Sequence, residues 1–318
     1  MEFALAALGL VILLLAGDAL VRGAVNMSLR LGVPALIVSL TVVAFGTSAP
    51  ELLISIQAVL RGAPGIALGN VVGSNTANIL MVLGVPAILA AMHMKNCDTR
   101  KSYVMMLVAS VLFIALCFFG PLTWWHGVIL LAALAVMLGD QLREALAHRR
   151  AGLAVTTDEV EGADPEMRWW KILLFLALGL VGLPLGADLL VDSATVIAQR
   201  FGVSDTVIGL TLVAIGTSLP ELATTVVAAL RRQADVAMGN VIGSNMFNLL
   251  AIIGVTTLIG PIDVGAEFLR FDLWVMLAAS LVLAPFVFLR WSVTRTWGVV
   301  FCAFYGVYLY VLIVGGGT

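Results

Sequence analysis

The sequence predicts an all-α membrane protein, with ten transmembrane helices in two inverted five-helix repeats. Three observations carry that expectation: long apolar runs, a polar motif that occurs twice, and an odd number of runs in each half. Of 318 residues, 61% are hydrophobic and only 11% charged, and the mean hydropathy is +1.09. A water-soluble domain carries about 25% charged residues, so this chain lacks the means to cover itself in water. Apolar runs of about 20 residues, the length that crosses a hydrocarbon core, recur from end to end.

Taken in order, hydropathy places the spans near 3–29, 34–60, 64–92, 102–119, 122–140, 169–197, 204–230, 235–259, 270–289 and 293–314. The run from Phe3 to Ala16 has Glu2 as its flanking charge and no cleavage site before Asp18, so it is expected to be a retained helix, not a leader peptide. Turn and charge signals separate the runs: Arg30-Leu31-Gly32, Arg61-Gly62-Ala63-Pro64, Lys95 to Lys101, Gly120-Pro121, Arg200-Phe201-Gly202 and Arg231-Arg232-Gln233. The polar stretch from Gln141 to Arg168, mixed in sign and including Thr156-Thr157-Asp158-Glu159, is expected to be a cytoplasmic linker. It would join a first repeat at 1–140 to a second at 169–318.

Basic residues set the orientation. With the N-terminus outside, 14 of the 17 Lys and Arg residues fall in inner connections, leaving Arg61, Arg200 and Arg270 outside. The positive-inside rule then puts both termini outside a plasma (inner) membrane. Trp124-Trp125 and Trp169-Trp170 are expected to anchor at opposite interfaces. Cys97, Cys117 and Cys302 are scattered and odd in number, which points to unpaired thiols. His93, His126 and His148 fall in expected connections, without company that would make a metal site. A net charge of −2 argues against a nucleic-acid partner, and nothing in the sequence speaks to oligomeric state.

The duplication is explicit. Gly46-Thr47-Ser48-Ala49-Pro50-Glu51 and Gly69-Asn70-Val71-Val72-Gly73-Ser74-Asn75-Thr76-Ala77-Asn78 recur 170 residues later. The second copies are Gly216-Thr217-Ser218-Leu219-Pro220-Glu221 and Gly239-Asn240-Val241-Ile242-Gly243-Ser244-Asn245-Met246-Phe247-Asn248. Aligning Asp18–Asn78 with Asp188–Asn248 needs no gap and gives 28 identities in 61 positions. Five spans per half is odd, so the second copy must enter the bilayer with opposite polarity. Such inverted repeats place a substrate site near the midplane, where they meet.

Glu51 and Glu221 each lie about 26 Å along their spans at 1.5 Å per residue. A carboxylate at that depth costs at least about 2.5 kcal/mol relative to an apolar residue. Neither motif contains Lys or Arg to offset it, which leaves protons or bound cations. In a continuous helix Thr47 shares a face with Glu51 and Ser74 with Asn78, and likewise Thr217 with Glu221 and Ser244 with Asn248. Pro50 and Pro220 free carbonyls one turn earlier, and irregular backbone at membrane depth is tolerated where it lines a cavity. The donors are carboxylate, hydroxyl, amide and carbonyl oxygens without His or Cys, a set suited to hard cations such as Ca²⁺ or Na⁺. Each Ser and Thr is open to a second role, back-bonding to a carbonyl, and Asn70, Asn75, Asn240 and Asn245 to satisfying broken helices. Asp18 has Arg22 one turn on, which points to a structural ion pair.

The doubled motif in inverted halves resembles the sodium/calcium exchanger branch of the cation/calcium antiporters, over essentially the whole chain. The resemblance implies a core of helices 2, 3, 7 and 8 across which the long helices 1 and 6 slide. It implies that Ca²⁺ is held by Glu51, Glu221 and the backbone carbonyls of Thr47 and Thr217. Sodium sites would add Ser48, Ser74, Ser218, Ser244 and the carbonyls of Ala44 and Ala214. Asn78 matches the family's amide, whereas Asn248 stands where sodium-coupled members carry Asp. The expected function is therefore secondary Ca²⁺/Na⁺ antiport, with Ca²⁺ and Na⁺ as substrates, the bilayer as surroundings and no cofactor. Ca²⁺/H⁺ antiport on the same fold is the alternative. An intramembrane hydrolase is disfavoured by the missing nucleophile–base motif, and a passive channel by the duplicated core.

Overall fold

A computed structural model describes residues 2–95, 97–150, 164, 166–201 and 214–315. Among the described residues the helices group into ten candidate membrane-spanning segments, the seventh described only in part. They are α1 (Glu2–Leu31), α2 (Ala35–Thr47 continued by Ala49–Leu60), α3 (Pro64–Leu89), α4 (Arg100–Cys117) and α5 (Trp124–Arg150). The second half repeats them as α6 (Trp169–Arg200), α7 (described as Ala214–Gly216 and Leu219–Leu230), α8 (Ala234–Ile259), α9 (Phe268–Phe288) and α10 (Arg295–Gly315).

Burial sorts these helices into two sets. In α3 and α8, 83% and 78% of the apolar window is buried, against 33% in each of α1 and α6. The motif-bearing helices are thus the centre of the molecule, and the two longest helices lie across its flank. Leu13, Ala16, Leu20 and Ala24 of α1 pack with Ile172, Leu176, Leu183 and Ala187 of α6 in an apolar seam separate from the main core. Glycines let the two backbones touch. A Cβ on Gly9 would lie 2.8 Å from Leu190 N, and one on Gly186 would lie 2.9 Å from Leu13 N.

The repeat is visible even outside the helices. Met92 exchanges two backbone hydrogen bonds with Val293, at 3.0 and 2.9 Å. Ile262, 170 residues beyond Met92, does the same with Leu122 at 2.9 and 2.8 Å.

Several expectations are corrected. The span expected at 34–60 is not continuous: it breaks at Ser48 (φ −85°, ψ 4°) and bends by 42°. Ser218 (φ −90°, ψ 4°) marks the same break in α7. Pro50 and Pro220 lie in the first turn of the new half-helix, where a missing N–H costs nothing. The third run, expected at 64–92, is interrupted after Leu80 and ends at Leu89. The fifth run continues to Arg150, past the boundary expected at 140. Its polar end is held by Lys101 of α4, which bridges Asp140 and Glu144 at 2.5 and 2.9 Å. His126 and His148 accordingly lie in α5 and not in connections. Residues 204–213 of the seventh run and the Thr156–Glu159 stretch lie outside the described residues.

Candidate functional site

The breaks position the carboxylates. Glu51 and Glu221 each fall in the first turn of a half-helix, 1% and 0% exposed, where the helix dipole favours negative charge. The break at Ser48 falls between Thr47 and Glu51, and the one at Ser218 between Thr217 and Glu221. Ser74 and Asn78 share a helix face within the unbroken stretch Pro64–Leu80. Ser244 lies in the α-helical part of α8, and Asn248 opens a π-helical turn, Asn248–Ile252. Such turns recur at functional sites.

The two motifs meet across the repeats. Ser48 of α2 donates to Glu221 Oε1 of α7 at 3.2 Å, and the hydroxyls of Thr47 and Ser244 also flank that carboxylate. Thr47 Oγ1 lies 3.3 Å from the Ala44 carbonyl, 3.3 Å from Asn240 Oδ1 and 3.5 Å from Ser244 Oγ. The carboxylates of Glu51 and Glu221 are near enough to feel each other's charge. Ala214 begins the described part of α7, and Thr217 and Ser218 end its first half.

The asparagines divide by role. Asn70 Nδ2 donates to the Glu51 carbonyl at 3.3 Å and to Ser55 Oγ at 3.1 Å. Asn240 Nδ2 donates to the Glu221 carbonyl and to Thr225 Oγ1 at the same two distances. Each therefore clamps the backbone of a carboxylate from the neighbouring helix. Asn75 and Asn245, themselves repeat mates, donate to each other's carbonyl at 3.2 and 3.3 Å. Residues related by the duplication touch one another only at its axis, so this pair marks the pseudo-dyad. Each of the four thus gives its amide to a backbone carbonyl, the role of satisfying broken helices that the sequence leaves open to them; their identity in both copies is the signal. Substituting Asn240→Leu removes a buried donor and leaves the Glu221 carbonyl unsatisfied, at a cost of about 1–3 kcal/mol. Asn240→Leu should therefore lower the melting temperature in detergent by several degrees, and Asn70→Leu by less, since among the described residues the Asn70 side chain has no hydrogen bond to the other repeat.

What remains is a set of buried oxygens without hydrogen-bond partners among the described residues. Within the two motifs they are Glu51 Oε2, Glu221 Oε2, Ser218 Oγ, and the Oδ1 atoms of Asn75, Asn78 and Asn248; the Asn248 Nδ2, a donor, is unpartnered as well. Asn78 spends its Nδ2 on Asn245 Oδ1 at 3.0 Å, whereas the side chain of Asn248, at the start of the π-helical turn, engages neither of its polar atoms among the described residues. Buried polar groups are normally satisfied, so a concentration of acceptors lacking donors marks a place built for something positive. Two carboxylates supplemented by neutral oxygens are a hard-cation donor set.

An inverted-repeat membrane protein whose central helices are broken has the architecture of a transporter. The model of the sodium/calcium exchanger protein family matches residues 1–142 and 171–314, and the chain belongs to that family. Sodium/calcium exchanger MaX1 of Methanosarcina acetivorans is 34% identical over 98% of both chains. Inner membrane protein YrbG of Escherichia coli is 34% identical over 88% of this chain and 87% of its own. Among solved structures, the sodium-calcium exchanger NCX_Mj soaked with Na⁺ and Sr²⁺ superposes with a TM-score of 0.82 at 31% identity, covering 97% of each chain.

Proposed function

We propose that this chain is a secondary antiporter exchanging Ca²⁺ for Na⁺ across a plasma membrane by alternating access, with both termini outside. The observation that supports this most is the convergence, from both repeats, of buried oxygens that lack donors. Glu51 and Glu221, with the Thr47 and Thr217 carbonyls, hold Ca²⁺. Ser48, Ser74, Ser218 and Ser244, with the Ala44 and Ala214 carbonyls, complete Na⁺ sites around the same carboxylates. Asn78 and Asn248 add neutral oxygens at the edge. Since both ions need the same two carboxylates, neither is carried while the other occupies them, and that competition is the basis of coupling. MaX1 is named a sodium/calcium exchanger, and NCX_Mj was soaked with Na⁺ and with Ca²⁺ or Sr²⁺; both support the choice of ions.

Asn248 tests the coupling ion. An amide offers an oxygen without charge or a titrating proton, so the removable charge of the site rests on Glu51 and Glu221. A third carboxylate beside two buried ones would be held protonated by repulsion and desolvation, and Asn substitutes closely for a protonated acid. Na⁺ should therefore displace Ca²⁺ from the purified protein at fixed pH, measured by calorimetric titration. Asn248→Asp should alter the pH dependence of that displacement more than its Na⁺ dependence. Ser74→Ala and Ser244→Ala should weaken Na⁺ competition before Ca²⁺ binding. Calcium binding that ignores Na⁺ and follows pH alone would favour Ca²⁺/H⁺ exchange instead.

A further inference from the structure

The duplication also runs through a set of charges outside the cation site. Asp18 of α1 and Arg231, which follows α7, recur as Asp188 of α6 and Arg61, which follows α2, each 170 residues away. The first pair is engaged. Arg231 Nε donates to Asp18 Oδ1 at 2.6 Å, the Arg231 Nη2 meets the same oxygen, and Arg22 Nε lies 2.9 Å from Oδ2. The Arg231 side chain is only 11% exposed. The second pair is open. Asp188 and Arg61 are exposed, and neither has an ion-pair partner among the described residues. One interaction written twice in the sequence is made once in the structure.

The two pairs lie at opposite ends of the molecule, because α2 and α7 cross the bilayer in opposite directions. Both tie the same two bodies together. Asp18 and Asp188 belong to the α1/α6 pair, whose backbones touch along the glycine seam and whose ends are joined by Glu2 and Arg200 at 3.5 Å. Arg231 and Arg61 belong to α7 and α2, which carry the candidate ligands. We propose that Asp18–Arg231 and Asp188–Arg61 are alternating latches between the α1/α6 pair and the core. One is closed in each access state, and the structure shows the state with the first closed. The inference rests on the alternating access proposed above. Exchanging one latch for its twin keeps the two end states close in energy, as a carrier that must populate both requires.

The twins are not chemically equal. Arg22 of the first half stands where the second has Asp192. The first latch gathers two guanidiniums around one carboxylate, and the second offers Arg61 two carboxylates one helical turn apart. The excess positive charge falls on the face assigned to the cytoplasm, in keeping with the distribution of basic residues.

Paired cysteines test this on a background with Cys97, Cys117 and Cys302 replaced by Ser. One variant carries Asp18→Cys and Arg231→Cys, a second carries Asp188→Cys and Arg61→Cys, and a third carries all four. With a short thiol cross-linker, each pair should cross-link, and either link should bring exchange to background until reduced. In the third variant each molecule should carry one link and never both. Failure of the Asp188/Arg61 pair to link in protein that still exchanges would overturn the latches, as would both links in one molecule. Exchange by the cysteine-free parent reports separately on the proposed function. Where the cysteine pairs fold poorly, Asp18→Asn and Asp188→Asn serve instead. Apparent affinity scales with the population of the competent state, so the two variants should shift the ratio of Ca²⁺ affinities at the two faces severalfold in opposite directions. Shifts of the same sign would contradict the proposal.

Discussion

Glu51→Gln and Glu221→Gln should each abolish Ca²⁺ transport in a protein that remains folded. Both side chains are fully buried, and each has one oxygen without a hydrogen-bond partner. The amide keeps the volume, removes the charge, and turns half of an acceptor pair into a donor aimed at a cation. Losing one member of a buried charge pair costs about 2–5 kcal/mol, and each 1.4 kcal/mol is about tenfold. Calcium affinity should therefore fall by about 30-fold or more, measured by calorimetry, and exchange should fall to background. The unfolding temperature should hold or rise, since an uncompensated buried carboxylate is lost along with its desolvation cost. Near-normal exchange by either variant would remove that carboxylate from the site.

The second large effect is expected at the seam between α1 and α6. A Cβ at Gly179 would sit 2.5 Å from Leu20 Cβ and 2.8 Å from Leu20 Cα, so backbone, and not a yielding side chain, is in the way. Overpacking of this kind costs about 1–3 kcal/mol or more. Gly179→Val and Gly186→Val should lower the melting temperature in detergent by several degrees and reduce exchange by an order of magnitude. Gly139→Ala and Gly306→Ala, where nothing lies within 4 Å, should leave both unchanged. Equal behaviour of the two groups would mean that α1 and α6 need not move as one body.

The parts legible in the sequence are those where the bilayer makes an error expensive. Polar residues at depth stand out against apolar surroundings, so the motifs around Glu51 and Glu221 announce themselves. Their recurrence in register gives the inverted architecture directly. That the helices break near the motifs is legible from the prolines and the irregular backbone they imply, but the place of the break at Ser48 is not, because Pro50 is compatible with a kinked continuous helix as well as with the first turn of a new one. The continuation of α5 to Arg150 was missed because hydropathy stops where a helix leaves the membrane, while its polar end is held by Lys101 through ion pairs. The contact between Asn75 and Asn245 has a sequence separation of 170 and follows only once the dyad is placed. Asp18 looked complete with Arg22, and its stronger partner Arg231 comes from the other repeat.

The central claim is that one pair of carboxylates serves two cations in turn, so that the gradient of one drives the other. The measurement closest to it is uptake of radioactive calcium into proteoliposomes loaded with Na⁺ and diluted into Na⁺-free medium at equal pH inside and out. The account predicts accumulation that requires the outward Na⁺ gradient, collapses when Na⁺ is equalised, and is absent from the Glu51→Gln and Glu221→Gln variants. Uptake that proceeds without Na⁺ and follows an imposed pH difference would contradict it.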